Sequence, residues 1–473
     1  MTLPAPIDPS TNPHLTGVFE PIQTQISADD LEVVQGQIPE DLSGTYLRNG
    51  PNPRFTPLGA YVYPMEGDGM IHAITLEGGK ASYRNSYVQT PMLDMEEKAG
   101  HALWPSIMSG ALPGPEDVGQ DLAWSFRDMP AINVACHHGT LIALAETTKS
   151  YRVSPVLATL GVEDFGGAFP QGAAAHPKID PATGELITFT YNVEAPFLQW
   201  AILNPDGSVK TGPHEVDTGG VAYMVHDFAI TKNSIVLSLN PAVFDMAAAM
   251  SGGSMLQWKP DLGSKIAVIP RSGQGKATWY DGDPFWVWHF ANAFDTDDGV
   301  ELQAVTWTNL GGGLAPGLPT PEAAFEHITL STTSSDIKRT SIVGRPMEFP
   351  RIDDRLVGTR HRQVAVGARG TIDSLPSGAF DGVLTIDAET GTDTFFQSDG
   401  FSLGEPCFVP SPQSETDGYY VTFATKLADM SSFFVILSSD DVSQGPVATV
   451  KIPQRVPMGL HGAWVPSESM PAA

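Results

Sequence analysis

The chain has 473 residues, of which 47 are Gly and 40 are Pro, with 17% charged residues, 41% hydrophobic residues and a formal net charge of −28. It is too apolar for a disordered chain and too rich in turn formers for a helical bundle, and so acidic a surface repels phosphate backbones, which excludes nucleic acid as a partner. Cys136 and Cys407 are the only cysteines, so a disulfide framework and a thiolate metal site are both excluded.

The N-terminal stretch MTLPAPIDPS has neither the basic nor the apolar region of a secretory signal, and no apolar run approaches the ~20 residues of a membrane span. The expected compartment is therefore the cytoplasm. SADDLEVV (27–34) predicts a helix. Short apolar runs follow, bounded by Gly, Pro, Asn and Asp: GTLIALAE (139–146), GELITFTYNV (184–193) and NSIVLSL (233–239). These predict strands of about six residues, several alternating in and out. DPATG (180–184) and NPDGS (204–208) predict hairpin turns. AVFDMAAAMSGG (242–253) and PEAAFEH (321–327) predict two further helices. DGVLTIDAETG (381–391), with its DAETG turn, and DGYYVTFATK (417–426) return to the strand pattern. No linker or low-complexity segment divides the chain. Strand clusters at spacings of ~40–60 residues predict one all-β domain over 1–473, and a propeller matches them. A fold does not name a function, so function must be sought in a site.

Four of the twelve histidines lie beside apolar, strand-like sequence: His176, His226, His289 and His461, separated by 50, 63 and 172 positions. Those gaps are too long for a local metal motif. They match one residue per blade of a closed radial fold. A single His in apolar sequence is more often a core residue, so spacing alone leaves both readings open. His137 and His138 are adjacent in a predicted strand and would face opposite sides; they and His72 are read as structural.

YLRNGPNPRF (46–55), EGDGMIHAI (66–74), HPKIDPATGEL (176–186), VHDFAITKN (225–233), WHFANAFD (288–295), GEPCFVPSP (404–412) and GLHGAWVP (459–466) carry a resemblance that runs nearly end to end. The chain resembles the carotenoid cleavage oxygenase family of carotenoid, apocarotenoid and stilbenoid dioxygenases. The resemblance implies a seven-bladed β-propeller, capped by a dome of loops over a metal centre. It implies one Fe(II) per chain, bound by four histidines that match His176, His226, His289 and His461. Three glutamates would accept hydrogen bonds from those imidazoles, matching Glu146 (ALAETT), Glu348 (MEFPRID) and Glu405 (GEPCF). The implied partners are O2 and a lipophilic alkene, whose C=C bond breaks into two carbonyls. Weak membrane-surface association is also implied, and the −28 charge opposes it on anionic bilayers. Imidazole suits Fe(II), and outer carboxylates orient the rings. Four neutral ligands should favour a resting ferrous state.

Two departures bear on substrate. Stilbenoid-cleaving members typically carry a Lys directly before the first of the three glutamates, and here that position is Ala145. A carotenoid or apocarotenoid is thus the expected substrate, with a stilbenoid or phenylpropanoid alkene, cleaved to an aromatic aldehyde, as the alternative. Ile132 stands where the family often has a Thr near the iron, which should narrow and dry the site. Tyr61 and Phe290, with Tyr63, Trp104, Phe285 and Trp286, are candidates for lining a substrate tunnel; core packing is the competing reading for each. Leu93–Leu112 is assigned to the dome; for it and the Met/Ala-rich 242–256, an apolar mouth for lipophilic substrate competes with solvated amphipathic cover, which the −28 charge favours. Outside this class, a hydrolytic propeller using calcium or zinc is disfavoured by the all-imidazole donor set. A binding propeller that has lost its chemistry is disfavoured by the presence of all seven site residues.

Overall fold

A computed structural model describes residues 3–471 apart from 252, 312, 313, 316 and 415. Its strands form seven antiparallel sheets of four to six strands and one two-stranded ribbon, the architecture of a seven-bladed propeller. Contacts divide the chain into two units. One comprises Met1–Asp164, Ile372–Asp381 and Ser398–Ala473, and the other Phe165–Thr371 and Gly382–Gln397.

The first unit holds three sheets, two of them built from both ends of the chain. Gly44–Arg48 pairs on one side with Met70–Glu77 and on the other with the C-terminal strand Gly462–Pro466, placing Arg48 opposite Gly462. Val33–Gly36 joins Pro446–Lys451 at the edge of a second sheet, which continues through Ser432–Ser438 and Gly418–Lys426. The third sheet runs Asn133–His137, Thr140–Leu144, Ser150–Val153, Thr159–Glu163. Tyr46, Ile74, Cys407, Val421 and Phe434 form part of a buried core shared by the two end-to-end sheets.

The second unit holds four meanders, each with strands in chain order. They begin at Lys178–Ile179, Phe228–Ile230, Trp286–Thr296 and Met347–Arg351. Inner strands are buried on both faces, which explains their unbroken apolar sequence: Leu186–Tyr191 is buried at all six positions. The fourth strand of the same sheet, Val209–Glu215, has no buried position.

The predicted strands appear as Thr140–Leu144, Leu186–Tyr191, Ser234–Leu239, Gly382–Asp387 and Gly418–Lys426. The three predicted turns join paired strands, with Gly184, Gly207 and Gly391 at φ of 70°, 83° and 71°. Three helix expectations need correction. Residues 27–34 form no helix: Ser27–Ala28 pairs with Lys80–Tyr87 and Val33–Gly36 with Pro446–Lys451. An eight-residue helix is too short to stand on its own hydrogen bonds, and pairing with existing sheets satisfies the same groups. Residues 321–327 run into the strand Ala323–Ser331, hydrogen-bonded on both sides, so tertiary pairing overrides the helix preference of Ala and Glu. Within 242–253, Ala242–Phe244 is a strand and only Met246–Met250 is helical. Gly252 and the side chains of Ala249 and Met250 lie outside the described residues. The helix Pro91–Ala99 begins just before the segment assigned to the dome. Thr90 caps it by accepting the Leu93 N–H, Pro91 opens it, and Gly100, at φ 76°, ends it. Among the described residues no helix is long and apolar enough to cross a membrane.

Candidate metal centre

Each of the four histidines lies at or near the start of a terminal strand of a different sheet. His176 precedes Lys178–Ile179 by two residues, and His226 precedes Phe228–Ile230 by two. His289 lies in Trp286–Thr296, where the pairing register shifts between Val287 and Phe290. His461 immediately precedes Gly462–Pro466. The ring centroids of His176, His226 and His289 are 4.7, 5.0 and 5.2 Å apart. The Nε2 atoms of His176 and His226 approach to 3.1 Å. One ring nitrogen from each of His176, His226, His289 and His461 lies within 4.8 Å of the others, and all four residues are buried.

Carboxylates hold two of the rings by their far nitrogen. His289 Nδ1 donates to Glu348 Oε2 at 2.7 Å, an oxygen that also accepts the Phe349 N–H at 2.6 Å. Glu348 Oε1 accepts the Trp307 indole N–H at 2.8 Å. Phe349 has a φ of 58°, uncommon for a bulky side chain, where the pairing register shifts between Glu348 and Arg351. His461 Nδ1 donates to Glu405 Oε1 at 2.9 Å, and Glu405 Oε2 accepts the Gly462 N–H at 2.8 Å. An ionised carboxylate only accepts, so Nδ1 carries the proton in both rings and the Nε2 lone pair is left for a cation. Four buried imidazoles with no carboxylate among the direct donors suit a divalent transition metal rather than calcium. The four histidines form a metal site.

The other expected residues fall as follows. Glu146 is buried two positions beyond Thr140–Leu144, and Ala145 before it is fully buried. Ile132 is buried, and its carbonyl accepts the His461 N–H at 3.2 Å. Phe290 and Phe285 pack with Val287, Ala293 and Leu302 in a hydrophobic core. Trp286 is fully buried, edge-on to Trp288 at 5.0 Å. Tyr61 and Trp104 share a pocket with Glu66, Ile107 and Phe126. Tyr63 stacks on His14 at 4.8 Å and donates to the Gly459 carbonyl. His72 bonds Tyr83 Oη at 2.7 Å in the core. His137 ends its strand, but His138 leaves it at φ 42° into a turn, so the two do not share a strand as expected. Sequence reasoning missed Trp307, which has no local signal, and Trp288, whose ring meets His226 edge-on at 5.0 Å. Trp288 adjoins His289, and that adjacency was the available clue.

Sheets in a seven-bladed propeller that present four histidines and outer carboxylates to a metal define a non-haem metal oxygenase. The family described as "Retinal pigment epithelial membrane protein" (RPE65) matches residues 19–466. The chain belongs to this family, that of the carotenoid cleavage oxygenases, and is an alkene-cleaving oxygenase. It is 30% identical to an isoeugenol monooxygenase of Pseudomonas nitroreducens, covering 96% of this chain and 98% of the relative. It is 29% identical to a carotenoid cleavage oxygenase of Mycobacterium tuberculosis, covering 97% and 98%. The solved lignostilbene dioxygenase of Pseudomonas brassicacearum superposes with a TM-score of 0.88 at 29% identity, covering 99% and 100%.

Proposed function

We propose that this protein uses Fe(II) and O2 to cleave one C=C bond of a carotenoid or apocarotenoid into two carbonyl products. The observation that carries the reading is the all-imidazole donor set, with Nδ1 of His289 and His461 pinned outward by Glu348 and Glu405. His176, His226, His289 and His461 are the ligands. Glu348 and Glu405 fix ring orientation and balance the charge of the buried dication, and Glu146 is the third outer carboxylate. When bound, ferrous iron supplies O2 activation without an external reductant, the electrons coming from the alkene. The buried, apolar Ile132, whose carbonyl accepts the His461 N–H, would help to keep water from this ligand. Ala145 has no donor for a phenolic oxygen, which supports a polyene over a hydroxystilbene.

The second reading is cleavage of a stilbenoid or phenylpropanoid alkene to an aromatic aldehyde. The isoeugenol monooxygenase at 30% identity favours it. Incubating the iron-loaded protein under air with an apocarotenoid, and separately with a hydroxystilbene and isoeugenol, tests the choice. Aldehydes from the polyene alone are expected. Aromatic aldehydes alone would overturn the substrate, and zinc-supported ester hydrolysis without O2 uptake would overturn the oxidative chemistry.

A further inference from the structure

Asp227 directly follows His226, and its side chain is 1% exposed. Oδ1 accepts the Phe228 N–H at 2.8 Å and the Lys178 ammonium at 2.7 Å. Oδ2 accepts the Phe290 N–H at 2.9 Å. Lys178 lies two residues after His176, and Phe290 directly follows His289. One buried carboxylate therefore takes a donor from each of the three segments that carry His176, His226 and His289. Those segments belong to three different sheets. Backbone ladders set register within a sheet but not between sheets, where side-chain packing alone permits sliding. Charge-assisted bonds to an ammonium and two backbone N–H groups are short and directional, and they remove that freedom next to the rings.

We propose that Asp227 is a positioning residue that sets the relative register of His176, His226 and His289 through the backbone of their segments. This role differs from that of Glu348 and Glu405, each of which bonds an imidazole directly. Lys178 supplies the counter-charge without which a buried Asp227 carboxylate would be costly. The inference rests on reading the histidines as metal ligands.

The test measures Co(II) binding to the full-length, metal-stripped chain, by calorimetry and by the visible d–d absorption of the bound ion. Three variants are compared: Asp227→Asn, Lys178→Met and, as a control, Asp180→Asn. The control breaks a different, partly buried ion pair of the same unit, Asp180 with Arg271 at 2.6 Å. Asp227→Asn should weaken Co(II) binding ~10–100-fold and alter the absorption bands. Lys178→Met, which keeps both backbone bonds, should shift both in the same direction by less. Asp180→Asn should lower thermal stability while leaving affinity and spectrum unchanged. Wild-type affinity and bands in Asp227→Asn would overturn the proposal, as would an equal loss in Asp180→Asn. If Asp227→Asn fails to fold, Lys178→Met decides by the same criteria. A wild-type chain that binds no Co(II) or Fe(II) would overturn the metal reading itself, and the proposal with it.

Discussion

The His289–Glu348 and His461–Glu405 pairs perform the same task with opposite wiring. In the first, the histidine precedes its carboxylate by 59 residues, and both lie on the first strands of their sheets. In the second, the carboxylate comes first by 56 residues. There the histidine stands at the far end of the chain, beside the strand that completes a sheet begun by residues 27–87. Chain order is therefore immaterial to the chemistry. What matters is that a carboxylate reaches the Nδ1 of an imidazole held by a different sheet segment. The pairs also differ in what else they hold. Glu348 takes an indole N–H from Trp307 on the strand Gly299–Trp307, whereas Glu405 takes the N–H of Gly462, the residue after its own histidine.

The comparison breaks most severely at the ligands. His289→Ala and His461→Ala should each abolish metal binding and alkene cleavage, read by metal content and O2 uptake. Full metal retention in either would show that one half of the centre is dispensable. The carboxylates give a smaller effect. Glu348→Ala and Glu405→Ala should each weaken metal binding ~10–100-fold. Glu348→Ala should also lower thermal stability, because it strands the partly buried Trp307 indole and the buried Phe349 N–H, at ~1–3 kcal/mol for a fully buried group. Glu405→Ala should lower it too, by stranding the buried Gly462 N–H besides its histidine. A wild-type melting temperature in either variant would show that its carboxylate is not needed by the donors it accepts.

The effect with least bearing on activity lies away from the metal, at Glu66, which accepts from Ser106 Oγ and the Ile107 N–H. Burial pushes its carboxyl up to about 7 from an ordinary value of 4.5. The folded chain therefore keeps a proton that the unfolded chain releases between these values. The stability this provides is complete below pH 4.5 and is lost as pH rises through about 7, by roughly 3 kcal/mol in all. Glu66→Gln should flatten that slope in urea titrations run from pH 4.5 to 8. An unchanged slope would remove Glu66 as its source.

Much of the fold was legible locally. Leu186–Tyr191 and Gly418–Lys426 announce themselves as apolar runs ended by turn residues, because strand burial and left-handed glycines leave short-range marks. The helix Pro91–Ala99 carries equally local marks in Thr90, Pro91 and Gly100. The errors at 27–34 and 321–327 have another origin: their partners lie in other strands, in one case more than 400 residues away, and no local window contains them.

By itself the sequence determined much of the strand and turn pattern and, through motifs that resemble a known family, the class of the chain and which four imidazoles to expect together. The tertiary structure alone decided which nitrogen of His289 and His461 is left for the metal, that Trp307 braces Glu348, and that Asp227 joins three of the histidine segments. Those facts depend on distances of about 3 Å between atoms contributed by different sheets, and such distances exist only after the sheets have packed.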